Sequence, residues 1–206
     1  MKNVFTNLAL FLVFAVAFSS LTACSRTQPD ANASNTANAT ANTTATNTES
    51  KSANYPPLPS GIANTEFELL DGTMSKVSDR KGKVLLLDLW GIWCGPCVAE
   101  MPALARLQTA YADKGFEIIG LNIGDSNGVP EDPAKIKAFG EKLNINYTLV
   151  RSRDSLTAQF YLLSRQQAVP QTFLVDREGH LRGVFIGGGK KVMDSIIQTV
   201  DKTMSE

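Results

Sequence analysis

The stretch that most constrains this chain is Val84-Leu85-Leu86-Leu87-Asp88-Leu89-Trp90, a nearly unbroken apolar run. A strand with one wet face alternates apolar and polar residues. This one does not, so it reads as a central strand buried on both faces. Residues Gly95 to Asp113 follow with Val98, Met101, Leu104, Ala105 and Leu107 on a helical stripe. Phe116 to Ile123 reads as a second buried strand. Pro133 to Leu143 reads as a helix with proline at its start and Ile136, Phe139 and Leu143 on one face. A short strand at Tyr147 to Val150 and a helix at Ser155 to Leu163 come next. Strands at Thr172 to Val175 and Leu181 to Ile186 are joined through Asp176-Arg177-Glu178-Gly179, and an amphipathic helix at Lys190 to Met204 closes the chain. Upstream, Glu66 to Leu70 and Met74 to Val77 flank Asp71-Gly72, a hairpin signal. The alternation predicts an α/β domain with a largely parallel sheet and helices on both faces. Its last two strands, joined by a tight turn, must be antiparallel.

The remainder of the chain is organised differently. Lys2 precedes eleven consecutive apolar residues, Leu8 to Phe18, too few to span a bilayer but suited to a signal segment. Leu21-Thr22-Ala23-Cys24 follows and resembles the lipobox of bacterial lipoproteins, which implies cleavage before Cys24 and lipidation of that cysteine. Two or more acyl chains give stable anchoring where one does not. From there the chain is dominated by Asn, Ala, Thr and Ser, which cannot offset the entropy of ordering. The expected organisation is a signal segment at 1–23, a lipidated cysteine with a disordered tether at 24–57, and one globular domain at 58–206. Twenty basic and twenty acidic residues give zero net charge, and no basic run stands out, so nucleic acid is not an expected partner.

With Cys24 as an anchor, two cysteines remain, in Cys94-Gly95-Pro96-Cys97, where the buried strand turns into a helix. A helix start presents unpaired N–H groups and a partial positive charge. Both stabilise a thiolate, which is the nucleophilic form of cysteine. Cys94, first on the helix, should be the more exposed sulfur, and Cys97, one turn on, is spaced to attack a disulfide formed at Cys94. Two other uses of the pair exist. A zinc site would need two more ligands, and the domain offers no further cysteine and one histidine, His180, at a predicted turn. A structural disulfide would close a loop too short to constrain much of the unfolded chain. No metal or cofactor is expected.

Trp90-Gly91-Ile92-Trp93-Cys94-Gly95-Pro96-Cys97 resembles the active-site segment of the thioredoxin superfamily. Asp88, Pro102 and Val169-Pro170 stand where that superfamily places a buried aspartate, a helix-kinking proline and a cis-proline facing the disulfide. The leading hairpin, the insert from Gly124 to Leu149 and Glu100, three residues after Cys97, are similar to the membrane-anchored TlpA/ResA-like branch. The resemblance covers roughly residues 60–206 and implies a thioredoxin-like fold, a central mixed sheet flanked by helices with an N-terminal β-hairpin extension. It also implies an extracytoplasmic, lipid-anchored thiol-disulfide oxidoreductase of the cell envelope, on its periplasmic side. Cys94 would attack and Cys97 resolve through a Cys94–Cys97 redox disulfide. Asp88 or Glu100 would take the proton, and Trp93, Val169 and Pro170 would meet the substrate. Gly187-Gly188-Gly189 would be either an opposite rim or a simple loop. Implied partners are cysteine-containing exported proteins, such as apocytochrome c in cytochrome c maturation, and a membrane thiol-disulfide electron donor. The Gly-Pro spacer points to a reductant. Two positions depart from the branch: Asp88 replaces a frequent Asn, and Gln171 replaces the usual Thr after the cis-proline. A peroxiredoxin-like peroxidase is the enzyme alternative, although it would want Thr or Ser where Gly91 stands. A Sco-like copper chaperone is the other, although it would want CxxxC and a histidine near Pro170.

Overall fold

The computed structural model describes residues 54–206. The signal segment, Cys24 and all but the end of the expected tether lie outside the described residues. The chain builds α1 (Ser60–Asn64), β1 (Glu66–Leu69), β2 (Met74–Lys76), β3 (Val84–Trp90), α2 (Gly95–Tyr111), β4 (Phe116–Asn122) and α3 (Pro133–Lys142). It continues through β5 (Thr148–Arg151), α4 (Asp154–Ser164), β6 (Gln171–Val175), β7 (Leu181–Ile186) and α5 (Lys190–Met204). Seven strands form one sheet in the order β2-β1-β5-β4-β3-β6-β7.

Every residue of β3 is buried, as its unbroken apolar run requires. Val84, Leu86 and Trp90 face a core completed by Met101 and Leu104 of α2, Ile136 of α3 and Ile196 of α5. Leu85, Leu87 and Leu89 face a second core with Ile62 of α1 and Leu156 and Phe160 of α4. Each fully buried leucine contributes about 1.5–3 kcal/mol relative to exposure, so a strand loaded on both faces fixes the centre of the sheet.

The sheet is mixed, as the resemblance implies, and less parallel than the alternation alone suggests: β3–β4 and β4–β5 are parallel, whereas β1–β2, β1–β5, β3–β6 and β6–β7 are antiparallel. Alternation of strands and helices does not say at which end of the sheet a helix returns the chain. Here α4 is followed by a short connection that enters β6 at Gln171, opposite Leu89, at the end of β3 that leads to the cysteines. β6 therefore runs back along β3. The β1–β2 hairpin extends the sheet past β5. Helix α1, five residues with no side-chain cap, had no signal in the sequence.

Candidate active site

The strand-to-helix junction holds the cysteines. Cys94 is the N-cap of α2, with extended backbone, and its sulfur accepts the Cys97 N–H at 3.3 Å. Pro96 occupies the first turn, where its missing N–H is not needed. The two sulfurs are joined as a disulfide. Cys94 is 4% exposed and Cys97 wholly buried, so in this oxidised form both sulfurs are shielded, Cys97 the more so. Glycine at 91 lets the Trp93 ring fold over the backbone: a Cβ there would fall 2.6 Å from Trp93 Nε1. That nitrogen instead donates to Gly124 O at 2.9 Å, which leaves the indole 48% exposed beside the disulfide.

The Val169–Pro170 peptide is cis. Gln171 is wholly buried and its Nε2 donates back to the carbonyls of Gln166 and Ala168, at 3.0 and 2.6 Å. It braces the loop that presents Val169, a role its position after the proline did not disclose. Gly188 stands against the site as well: a Cβ there would lie 3.1 Å from Pro96 Cβ and 3.6 Å from Pro170 Cγ. Gly188 thus lies on the side of the site formed by Pro96 and Pro170.

Asp88 and Glu100 come together beneath the disulfide. Asp88 shares the face of β3 that carries Leu86 and Trp90, and Glu100 comes down from α2, one turn after Cys97. Asp88 is wholly buried; Oδ1 has only a long contact of 3.5 Å from Thr172 Oγ1, and Oδ2 has no partner. Glu100 is 6% exposed and its Oε1 is unpartnered. Burial raises the Asp88 carboxyl to about 7. Burial, and then the neighbouring Asp88 charge, raises Glu100 to about 9. A carboxylate stripped of water and hydrogen bonds prefers its neutral form. Both carboxyls are therefore held above the usual carboxylate range, and as neighbours they give up their protons as a coupled pair.

The sequence reading missed the rest of this pocket. The Tyr147 hydroxyl is buried without a partner, and burial followed by the charges of Asp88 and Glu100 pushes it upward. Trp90 Nε1 is likewise unpartnered. Both crowd Gly120, where a Cβ would lie 3.1 Å from Trp90 Nε1 and 3.3 Å from Tyr147 Cε2. The glycine within the otherwise bulky Phe116–Asn122 run was the available signal. His180 lies at the far end of β7, its Nδ1 3.5 Å from Asp176 Oδ1, away from the cysteines.

Residues 61–184 match the AhpC/TSA family. The chain is 29% identical over 121 residues to the thioredoxin-like protein YneN of Bacillus subtilis (strain 168), covering 59% of this chain and 66% of that protein. It is 30% identical over 129 residues to the thiol-disulfide oxidoreductase ResA of Geobacillus kaustophilus (strain HTA426), covering 62% and 69%. The chain thus spans about two thirds of the length of these relatives. Among solved structures, a putative protein disulfide isomerase from Bacteroides thetaiotaomicron superposes with a TM-score of 0.61 at 24% identity, covering 73% of this chain and 89% of that one. A putative thiol:disulfide interchange protein DsbE from Chlorobium tepidum does so with a TM-score of 0.59 at 23% identity, covering 73% and 96%. At these identities the two structures establish the shared thioredoxin-like fold.

Proposed function

The chain belongs to the AhpC/TSA family, as a ResA-like member of the thioredoxin superfamily, and from that membership we propose that it is an extracytoplasmic thiol-disulfide oxidoreductase that reduces protein disulfides through Cys94 and Cys97. The observation that carries this reading is the Cys94–Cys97 disulfide at the first turn of α2, with Cys94 as the N-cap. In the reduced protein the helix N-terminus favours the Cys94 thiolate. That thiolate attacks one sulfur of a substrate disulfide; a mixed disulfide forms and one substrate thiolate leaves. Cys97 then loses its proton and attacks Cys94. The Cys94–Cys97 bond re-forms and the second substrate thiolate leaves. The substrate gains two electrons and the protein loses them, to be restored by a membrane thiol-disulfide donor.

Cys97 is the step's difficulty, because a wholly buried thiol does not ionise unaided. Asp88, wholly buried with its Oδ2 unpartnered among the described residues, is the proton acceptor in this proposal, and Glu100 is the second member of the coupled pair. The signal-like segment at 8–18 and the lipobox-like sequence ending at Cys24 support export and anchoring as part of the same reading. Exported cysteine proteins, including those of cytochrome c maturation, are the proposed substrates. The direct test is a trap. Cys97→Ser should accumulate a mixed disulfide at Cys94 with an exported cysteine protein, and Cys94→Ser should accumulate none. A Cys97→Ser variant that captures nothing, while the native protein still reduces disulfides, contradicts the assigned order of attack.

A further inference from the structure

We propose that the groove between Trp93 and α4 selects substrate segments bearing arginine or lysine beside the reacting cysteine, with Asp125 and Asp154 as the specificity-determining carboxylates. This rests on thiol-disulfide exchange at Cys94 and adds the chemistry of the segment admitted to it. The groove has a volume of about 410 Å³ and begins at the site itself, since Trp93 and Val169 form its near wall. Ile123 and Tyr161 supply apolar and aromatic surface farther in. Neither the N–H nor the carbonyl of Val169 makes a backbone hydrogen bond among the described residues. An extended segment paired there would pass the mouth of the groove.

The electrostatics of the groove are one-sided. Asp125 and Asp154 line it and no lysine or arginine does. Asp125 Oδ1 accepts the N–H groups of Asn127 and Val129, at 2.8 and 2.9 Å. Those bonds hold the carboxylate ionised and leave Oδ2 for a ligand. Asp154 is exposed in the first turn of α4, where a negative charge is favoured. Lys135, whose charge is felt at Asp125, pairs directly with Glu131 at 2.9 Å, and Arg153 points toward Glu66 at 3.9 Å. Because the whole chain has zero net charge, this negative groove is a local arrangement. An arginine or lysine side chain fits both of its properties. The alkyl stem lies along Trp93 and Tyr161 while the charged head reaches the carboxylates. A glutamate at the same place meets like charge in a partly enclosed setting.

The test uses the reduced protein with disulfide-bonded peptides that differ only in the residue beside the reacting cysteine: arginine, alanine or glutamate. At low salt kcat/KM should fall in that order, with arginine about threefold to tenfold above glutamate, as suits partly exposed charge pairs. Salt at about 0.5 M should compress the order, because exposed charges are screened at that strength. Asp154→Asn should narrow the ratio, Asp125→Asn with Asp154→Asn should bring it close to one, and Asp154→Lys should favour the glutamate peptide. Asparagine at 125 keeps the oxygen that caps the loop, and Asp154→Asn alone leaves that loop untouched. Hydroxyethyl disulfide, small and neutral, should be reduced equally by every variant. If the native protein fails to reduce hydroxyethyl disulfide, the exchange reading falls and this proposal with it. If hydroxyethyl disulfide is reduced but the peptides show no charge order, or the order survives in both asparagine variants, the groove assignment alone is overturned.

Discussion

At the scale of single residues, the buried carboxyls beneath Cys97 carry the most consequence. The ordinary values for Asp88 and Glu100, 3.8 and 4.5, apply to the unfolded chain, while the folded chain holds them near 7 and 9. Between these limits the folded state binds more protons than the unfolded one, so the contribution of these two groups to stability is fully present below about pH 4 and is lost as pH rises through the folded values. Asp88→Asn removes part of that cost. Its stability relative to the native protein should therefore improve from pH 5 to pH 8, by up to about 3 kcal/mol, since about two units of the shift fall in that window. Urea unfolding of the oxidised proteins at the two pH values measures this; a constant difference between them contradicts the buried, uncompensated Asp88. The same substitution should slow release of the mixed disulfide at pH 7 by about 100-fold or more, the usual worth of a positioned base, and flatten its rise with pH. Glu100→Gln should alter the same profile, because the two carboxyls titrate as a pair. The apolar flanks of Asp88 made its burial legible in the sequence. Tyr147 was not legible as part of this pocket, because only the pairing of β5 with β4, a long-range contact, brings it there.

Among the elements, the β3–α2 junction was fully legible, since an apolar run followed by a helical stripe is a local pattern. The direction of β6 was not, because it depends on where α4 returns the chain. That return sets the site: it brings Val169 and Pro170 to the cysteines and, through β7, brings Gly188 against Pro96. Gly188→Ala should press on two rigid proline rings and displace the β7–α5 loop. We expect kcat/KM for a peptide disulfide to fall several-fold with a stability change below about 1 kcal/mol, the outcome of mild crowding at a surface loop. Unchanged turnover would show that this loop is not part of the rim. Arg182 on β7 ties other elements together. Its guanidinium lies 3.4 Å from Asp176 Oδ2 and 2.5 Å from Glu206 Oε2, and 4.1 Å from the centre of the Tyr55 ring. Arg182→Ala should cost about 2 kcal/mol, because it removes charged hydrogen bonds that join β7 to the C-terminal Glu206, while Asp176 keeps the N–H groups of Glu178 and His180. Urea unfolding should register that loss while reduction of small disulfides by the folded fraction is unchanged.

For the whole molecule, the sheet separates two poles. The cysteines, the cis-proline loop and the acidic groove gather at one end of β3. The first described residues join the domain at the other, where Leu58 N–H donates to Gly179 O and Leu181 N–H to Pro56 O. The redox pair thus lies at the end of the sheet opposite the first described residues. The cysteine pair and most of the elements were readable from local pattern, and the fold from the resemblance that those residues carry. The pocket beneath the pair and the groove beside it were not, since each is assembled from strands and helices distant in sequence. The proposed function asks the assembled site to donate electrons. Thioredoxin stands near −270 mV and the oxidant DsbA near −120 mV, a gap of about 7 kcal/mol for two electrons. Equilibrating the protein with glutathione redox buffers at pH 7, and counting the alkylated Cys94 and Cys97 thiols by mass, gives the potential directly. A value on the thioredoxin side is the result expected of a disulfide reductant; a value near that of DsbA would contradict it.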